Sequence, residues 1–152
     1  MGQKNQITTS DHLPYDEFTR LLDCLHKDEE YRWEMYARLS FCTACRASDT
    51  LNFRWKDILG ASSITIIEQK TKKTRQIPFN PSVQKSFNEL WHLLECPDKN
   101  DYIMASPQGD KPITIQYVNM KLKEFKCKYR LHIDNFSTHT FRKTFGRYVY
   151  DA

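Results

Sequence analysis

Apolar positions along the chain recur mostly at the three- and four-residue spacing of a helix face. A polar, unpatterned stretch over residues 1–13 is followed by Pro14 and then by an apolar stripe of Phe18, Leu21, Leu22 and Leu25. The same kind of pattern predicts five more helices, which run from near Glu30 to Cys45, from about Ser48, from Pro81 to just before Pro97, from about Thr114, and from Ser137 as N-cap to the chain end.

Between the helical segments the pattern changes to an alternation of period two. Ser63–Gln69 is rich in β-branched residues, and Thr74–Phe79 resumes the extended character after the charged residues 70–73. Residues 102–105 read as one further short strand. These patterns predict a mainly α protein with a small antiparallel β-hairpin (α+β), organised as a polar N-terminal segment or linker over 1–13 and one domain over 14–152.

Composition agrees with one packed domain and adds little about partners. The chain has 152 residues, 39% of them hydrophobic and 13% aromatic, which is enough for a core. A net charge of +4 indicates nucleic acid only weakly. Because the sequence has no membrane-length apolar run and no export signal, we expect a cytoplasmic protein with reduced thiols and no membrane partner.

The pair Cys42 and Cys45 forms a CxxC motif, which a zinc site or a redox site would use. Zinc would need a second pair of ligands at suitable spacing, and the sequence shows none. A redox motif would follow a strand, whereas this pair ends a helical pattern. We therefore interpret the two thiols as small helix-packing side chains, and we expect no metal and no cofactor.

Three separated basic signals remain as candidate chemistry. Arg46 lies between two helical segments, with Asp49 three residues later to orient it. Lys70 begins the hairpin turn. His139 and Arg142, three residues apart, would share one face of the first turn of a helix, where the dipole favours an anion. Each signal has an ordinary alternative: a surface ion pair for Arg46, protection of a strand edge for Lys70, and a chance HxxR.

The order of the three signals resembles that of the tyrosine recombinases (the phage integrase family), including Xer proteins and lambda-type integrases. Residues 43–58 resemble the first arginine box and end in the W-x-D-I form as Trp55-Lys-Asp-Ile58. Residues 67–78 resemble the lysine hairpin with its closing apolar-Pro pair, and residues 137–145 resemble the second box. The sequence departs at Ala44, where the family often has Gly, and at Lys143, where it often has His.

The resemblance implies a catalytic-domain fold that acts on double-stranded DNA through a 3′-phosphotyrosyl intermediate without a metal. It implies that Arg46 and Arg142 hold the non-bridging phosphate oxygens, because guanidinium donates bidentate hydrogen bonds and stays charged. Lys70 becomes the candidate general acid, preferred over Lys72 and Lys73, and His139 a donor to the phosphate. Asp49 would support Arg46. We expect further DNA contacts from Lys72, Lys73, Arg75 and Lys143.

The nucleophilic tyrosine of the family is expected well beyond the second arginine, and only ten residues follow Arg142. Tyr148 and Tyr150 are poor substitutes, since they would share the helix that displays Arg142. We therefore expect a catalytic domain that ends before the nucleophile, from a recombinase that self-associates on DNA, most simply as a tetramer. The alternatives are a non-catalytic DNA-binding module and a type IB topoisomerase-like domain.

Overall fold

The computed structural model describes residues 12–68 and 70–151, with side chains described as far as residue 145. Residues 1–11, most of the predicted N-terminal segment, lie outside the described part, as do the side chains of Tyr148 and Tyr150. The elements are α1 (Tyr15–Lys27), α2 (Tyr31–Thr43), α3 (Ala47–Thr50), α4 (Trp55–Ile58), β1 (Ser63–Ile67), β2 (Thr74–Pro78), α5 (Pro81–Leu93), α6 (Ile115–Tyr129) and α7 (Thr140–Asp151). The predicted class, mainly α with one small antiparallel hairpin, is confirmed.

Local chemistry explains where several of these helices begin. Helix α5 starts with Pro81, whose fixed φ suits the first helical position, and the Asn80 side chain accepts a hydrogen bond from Val83 N at 2.8 Å. Helix α6 is capped in the same way by Thr114, which accepts from Tyr117 N at 3.1 Å. Proline and short polar caps therefore set both boundaries.

Helix α2 ends at Thr43 rather than at the predicted Cys45, and two further predictions of elements are wrong. The last helix begins at Thr140 rather than directly after Ser137; the Ser137 hydroxyl instead accepts from His139 N at 3.3 Å, inside the turn before the helix. Residues 102–105 form no strand. Their only ladder contacts in the described chain are the isolated bridges Arg54↔Tyr102 and Ala105↔Pro112, because neither partner segment is extended long enough to continue a ladder.

The hairpin buries one face and exposes the other. Strands β1 and β2 pair antiparallel from Ser63↔Pro78 to Ile67↔Thr74. Ile64 and Ile66 are buried while Ile67 is 65% exposed, as the two-residue period of a strand requires. The buried face fixes the register, so the connecting turn projects from a defined place on the domain.

The core joins the first two helices to the last one. Helix α2 packs against both α1 and α7. The Phe141 ring, 1% exposed, lies at its centre, with ring centroids 6.0 Å from Phe18, 6.0 Å from Tyr36 and 5.6 Å from Phe136. Leu13 N also donates to Thr144 Oγ1 at 2.8 Å, tying the start of the described chain to α7. None of the helices in the described part of the chain is long and apolar enough to cross a membrane.

An ion pair on α1 fastens the C-terminal end of α6. The Arg20 guanidinium donates to Glu17 and also to the carbonyl of Tyr129 at 2.9 Å. The Glu17 carboxylate in turn accepts from His132 N at 2.9 Å. The hydrogen bond from Arg20, followed by the one from His132, lowers the pKa of Glu17 to about 2.

Because of this carboxylate, the free energy of unfolding changes with pH in the acidic range. Since the folded-state pKa lies below the unfolded value of 4.5, the stabilisation is complete above pH 4.5 and is lost as pH falls toward 2. We expect Glu17→Gln to lower the free energy of unfolding at pH 7 by about 1–3 kcal/mol and to flatten its decline between those pH values. Urea titrations across pH measure both effects. Glu124→Gln, at an exposed pair with Lys121, is the control and should cost less than about 1 kcal/mol.

Candidate anion-binding centre

Arg46 is placed by a sharp break between α2 and α3. Helix α2 ends because Ala44 turns into the left-handed region, with φ 51°, and its N–H bonds to Ser40 O. This is the position where glycine is favoured, which gives a physical reason for the glycine expected there. Arg46 follows in extended conformation as the N-cap of α3, and its carbonyl accepts from Asp49 N and Thr50 N, each at 3.0 Å.

The partner of the Arg46 guanidinium is Glu68, at the end of β1. Its Oε1 lies 3.6 Å from Arg46 Nη1, and its Oε2 lies 3.0 Å from Arg75 Nε. Oε1 also accepts from the Thr71 hydroxyl at 2.8 Å. The Glu68 side chain is only 9% exposed, against 29% for Arg46. A nearly buried carboxylate thus lies between two guanidiniums.

The positive charge of Arg142 also acts on the Glu68 carboxylate. The hydrogen bond from Thr71 and then the positive charges of Arg75, Arg46 and Arg142 hold the pKa of Glu68 below its ordinary value, against the opposing effect of burial. The positive charges that act on this carboxylate thus come from residues up to 96 positions apart in the chain. We call Arg46, Arg75 and Arg142 the arginine centre.

Arg75 has a different setting from the one predicted for a DNA-contacting residue. On β2 it pairs with Ile66 and points to the buried side of the hairpin. Its Nη2 donates to Thr43 O at 3.1 Å and contacts Cys45 Sγ at 3.5 Å, in addition to the ion pair with Glu68. The guanidinium therefore joins β2 to the α2–α3 break and helps fix Arg46 in place.

The predicted lysines lie around the hairpin turn. Lys70, Lys72 and Lys73 are all exposed. Glu68 closes the turn, because its N–H donates to Lys73 O at 2.9 Å and its carbonyl accepts from Lys72 N at 2.8 Å. Lys72 has φ 60°, a left-handed conformation that the tight turn imposes. The residue that binds two arginines thus also closes the turn that carries Lys70.

His139 and Arg142, predicted to share one face of the first helical turn, lie on either side of the start of α7. Helix α7 begins at Thr140, so His139 lies just before it and is exposed, with its carbonyl accepting from Lys143 N at 3.3 Å. Arg142 and Lys143 are half-buried. Phe141, which directly precedes Arg142, is buried and anchors the helix.

Asp49 and the two cysteines lie next to the arginine centre. Asp49 is 6% exposed within α3. Burial raises the pKa of Cys42 to about 12 and also raises the pKa of Cys45, so both thiols stay protonated at neutral pH. Within residues 12–68 and 70–151, no group of three or more His, Cys, Asp or Glu side chains is placed to hold a metal ion. The CxxC pair packs at the α2–α3 break beside Arg46.

Sequence reasoning missed Glu68 and the internal role of Arg75. A signal for both exists in the strand alternation: Ile64, Ile66 and Glu68 fall on one face, and Arg75 stands opposite Ile66. A charged residue on a buried face needs an opposite charge, so this period predicts their pairing.

Comparison with known proteins assigns the family. The model of the phage integrase family matches residues 11–152, nearly the whole chain, so the chain belongs to the phage integrase family. It is 32% identical over 108 residues to the Bacillus subtilis (strain 168) protein named Probable integrase/recombinase YoeC, covering 71% of this chain and 57% of YoeC. It is 28% identical over 115 residues to a probable integrase/recombinase of Acholeplasma phage L2, covering 75% and 38%. The chain thus spans about half the length of these relatives or less.

Solved structures share the fold. The XerH site-specific recombinase, solved with its difH substrate in a pre-cleavage complex, matches with a TM-score of 0.72 and 21% identity over 92% of this chain and 43% of XerH. A lambda integrase tetramer bound to a Holliday junction matches with a TM-score of 0.65 and 18% identity over 90% and 41%. These likenesses confirm the catalytic-domain architecture predicted from the three boxes.

Proposed function

We propose that this domain binds duplex DNA and holds one phosphodiester at the arginine centre for attack by a tyrosine, which would leave a 3′-phosphotyrosyl link. The observation that carries the proposal is the nearly buried carboxylate of Glu68 between Arg46 and Arg75, with the charge of Arg142 also acting on it, because a place that holds a carboxylate this way has the donors that a phosphate needs. Activation by fixed positive charge stabilises the additional negative charge of the transition state.

Each side chain has a separate role in the proposal. Arg46 and Arg142 bind the non-bridging oxygens, and exposed His139 donates a further hydrogen bond to the phosphate. Asp49, buried beside the α2–α3 break, positions Arg46. Lys70, exposed at the start of the turn, protonates the departing 5′-oxygen. The remaining exposed lysines of the turn, with Lys143, add contacts to the DNA backbone.

The assembly proposed for the whole protein follows from its relatives. XerH was solved on its DNA substrate, and lambda integrase as a tetramer on a Holliday junction. We propose by this likeness that the protein carrying this domain assembles on DNA as a tetramer. The nucleophile is not assigned to a residue of this chain, since the side chains of Tyr148 and Tyr150 lie outside the described part.

Two lysines of the turn allow the assignment of the general acid to be tested. In a protein that joins this domain to the nucleophilic tyrosine, Lys70→Ala should reduce cleavage of a nicked suicide substrate by about 100-fold or more, the size of effect typical of a lost general acid. Lys72→Ala, a matched change two residues away, should mainly weaken DNA binding. Covalent adduct formed at saturating protein measures cleavage apart from binding. A larger loss with Lys72→Ala would reverse the assignment.

A further inference from the structure

Glu68 places a negative charge where the proposed function needs a phosphate. Its two carboxylate oxygens are divided between the arginines, 3.0 Å from Arg75 Nε and 3.6 Å from Arg46 Nη1. The same oxygen that faces Arg46 already accepts the Thr71 hydroxyl at 2.8 Å. The contact with Arg46 is therefore the weaker of the two ion pairs, and it is the one at a proposed phosphate-binding residue.

The two ion pairs also differ in what else holds each arginine. Arg75 is held by Thr43 O and Cys45 Sγ as well as by Glu68, so its position does not depend on one contact. The Arg46 and Arg75 side chains are similarly exposed, 29% and 35%, but Arg46 contacts Glu68 only through the longer ion pair. The longer contact, between Arg46 and Glu68, is therefore the one that an incoming anion would replace, while Arg75 keeps the carboxylate.

A phosphate at Arg46 and the Glu68 carboxylate would repel each other. Two negative charges a few ångströms apart in a partly buried site destabilise one another strongly, and a shared cation reduces this only in part. Because Glu68 is nearly buried and carries Thr71 and the turn with it, it cannot move far into solvent. Its charge must therefore lower the affinity of the centre for every incoming anion.

We propose that Glu68 is an internal counter-anion of the arginine centre, which occupies Arg46 in the absence of DNA and yields it to the phosphodiester when DNA binds. This inference rests on the proposed function of the centre. It gives Glu68 a role in selectivity: free phosphate must compete with Glu68 on its own, whereas a phosphodiester of the duplex is helped by the lysines of the turn. Glu68 thus acts on the phosphate through Arg46 and is a positioning residue.

Replacing Glu68 with glutamine separates this role from a purely structural one. The amide keeps the shape of the side chain and can still accept the Thr71 hydroxyl, but it removes the charge. We expect Glu68→Gln to bind both inorganic phosphate and a short duplex about tenfold more tightly than the wild-type chain. Glu89→Gln, an exposed residue on α5, makes the same change in net charge and should leave both affinities within about twofold.

Isothermal titration with inorganic phosphate and fluorescence anisotropy with the duplex measure these affinities. Equal or weaker binding by Glu68→Gln, relative to Glu89→Gln, would overturn the inference and indicate that Glu68 only orients the arginines. If the wild-type chain binds the duplex and this variant binds no better, the proposed function stands and the inference alone fails. If neither binds the duplex, the proposed function fails and the inference with it.

A second measurement uses the wild-type chain, so that it does not depend on how the variant folds. The carboxyl carbon of Glu68, assigned by NMR through its bonds, should change its chemical shift as duplex is added, because Arg46 leaves it. The carboxyl carbon of Glu89 should not change. A Glu68 resonance that stays in place at saturating duplex would contradict the exchange.

Discussion

Phe141→Ala is expected to destabilise the domain by about 3–5 kcal/mol, the cost typical of removing a fully buried phenylalanine. The ring is 1% exposed and contacts Phe18 on α1, Tyr36 on α2 and Phe136 before α7. Its loss would leave a cavity among three separate elements that do not close around it easily. A domain of this size has a total stability of about 5–15 kcal/mol, so the variant would be partly unfolded at moderate temperature.

Chemical denaturation of the wild-type chain and the variant measures this effect. Tyr117→Ala is a suitable control, because Tyr117 is an aromatic residue on a helix but is 44% exposed; we expect it to cost less than about 1 kcal/mol. Similar losses in the two variants would mean that Phe141 is not the centre of the core. The prediction matters for function because Phe141 directly precedes Arg142 and fixes the helix that carries it.

Arg142→Ala is expected to weaken duplex binding by about 10- to 100-fold with little change in stability. A charged hydrogen bond contributes about 1.5–3 kcal/mol, and the loss of one guanidinium from the arginine centre removes at least one such bond to phosphate. Arg142→Lys keeps the charge but loses the bidentate geometry, so its affinity should lie between those of the wild type and the alanine variant. Fluorescence anisotropy at fixed salt gives all three affinities.

A control variant must show whether Arg142→Ala weakens binding because the arginine centre is damaged or only because the protein loses one positive charge. Lys85→Ala removes one exposed positive charge from α5, outside the arginine centre, and should weaken binding by less than about threefold. Equal losses for Arg142→Ala and Lys85→Ala would show that only net charge attracts the DNA. The arginine centre would then have no special part in binding.

Most of the helices could be predicted because their apolar stripes are long and regular. The stripe from Phe18 to Leu25 and the one from Val118 to Phe125 are both buried as their spacing requires. The change to an alternation of period two predicted the hairpin, and the charged residues 70–73 predicted its turn. These signals are local, so one sequence is enough to show them.

The boundaries that failed depend on single backbone conformations. Helix α2 ends at Thr43 because Ala44 adopts a positive φ. Alanine does not favour the left-handed region, so the sequence does not predict this end. The last helix begins at Thr140 because the Ser137 hydroxyl accepts a hydrogen bond from His139 N in the preceding turn. This places His139 directly before the first residue of α7, where its carbonyl accepts the first hydrogen bond of the helix from Lys143 N at 3.3 Å.

The arginine centre could be predicted only in part. The order of the boxes pointed to Arg46, Lys70, His139 and Arg142, but it said nothing of which groups contact each other. The ion pairs of Glu68 with Arg46 and Arg75 join a helix break to a hairpin, and such long-range pairs depend on how the elements pack. Only the placement of Glu68 and Arg75 on the inner face of the hairpin could be predicted from the sequence.

The salt dependence of duplex binding by the wild-type chain and by Arg142→Ala tests most directly whether the arginine centre binds a DNA phosphate. Each phosphate contact contributes about −0.9 to the slope of log K against log salt concentration. We predict a slope of about −3 or steeper for the wild-type chain, since several cations face the DNA, and a slope about one unit shallower for Arg142→Ala. A flat dependence, or equal slopes and affinities for the two proteins, would contradict the account.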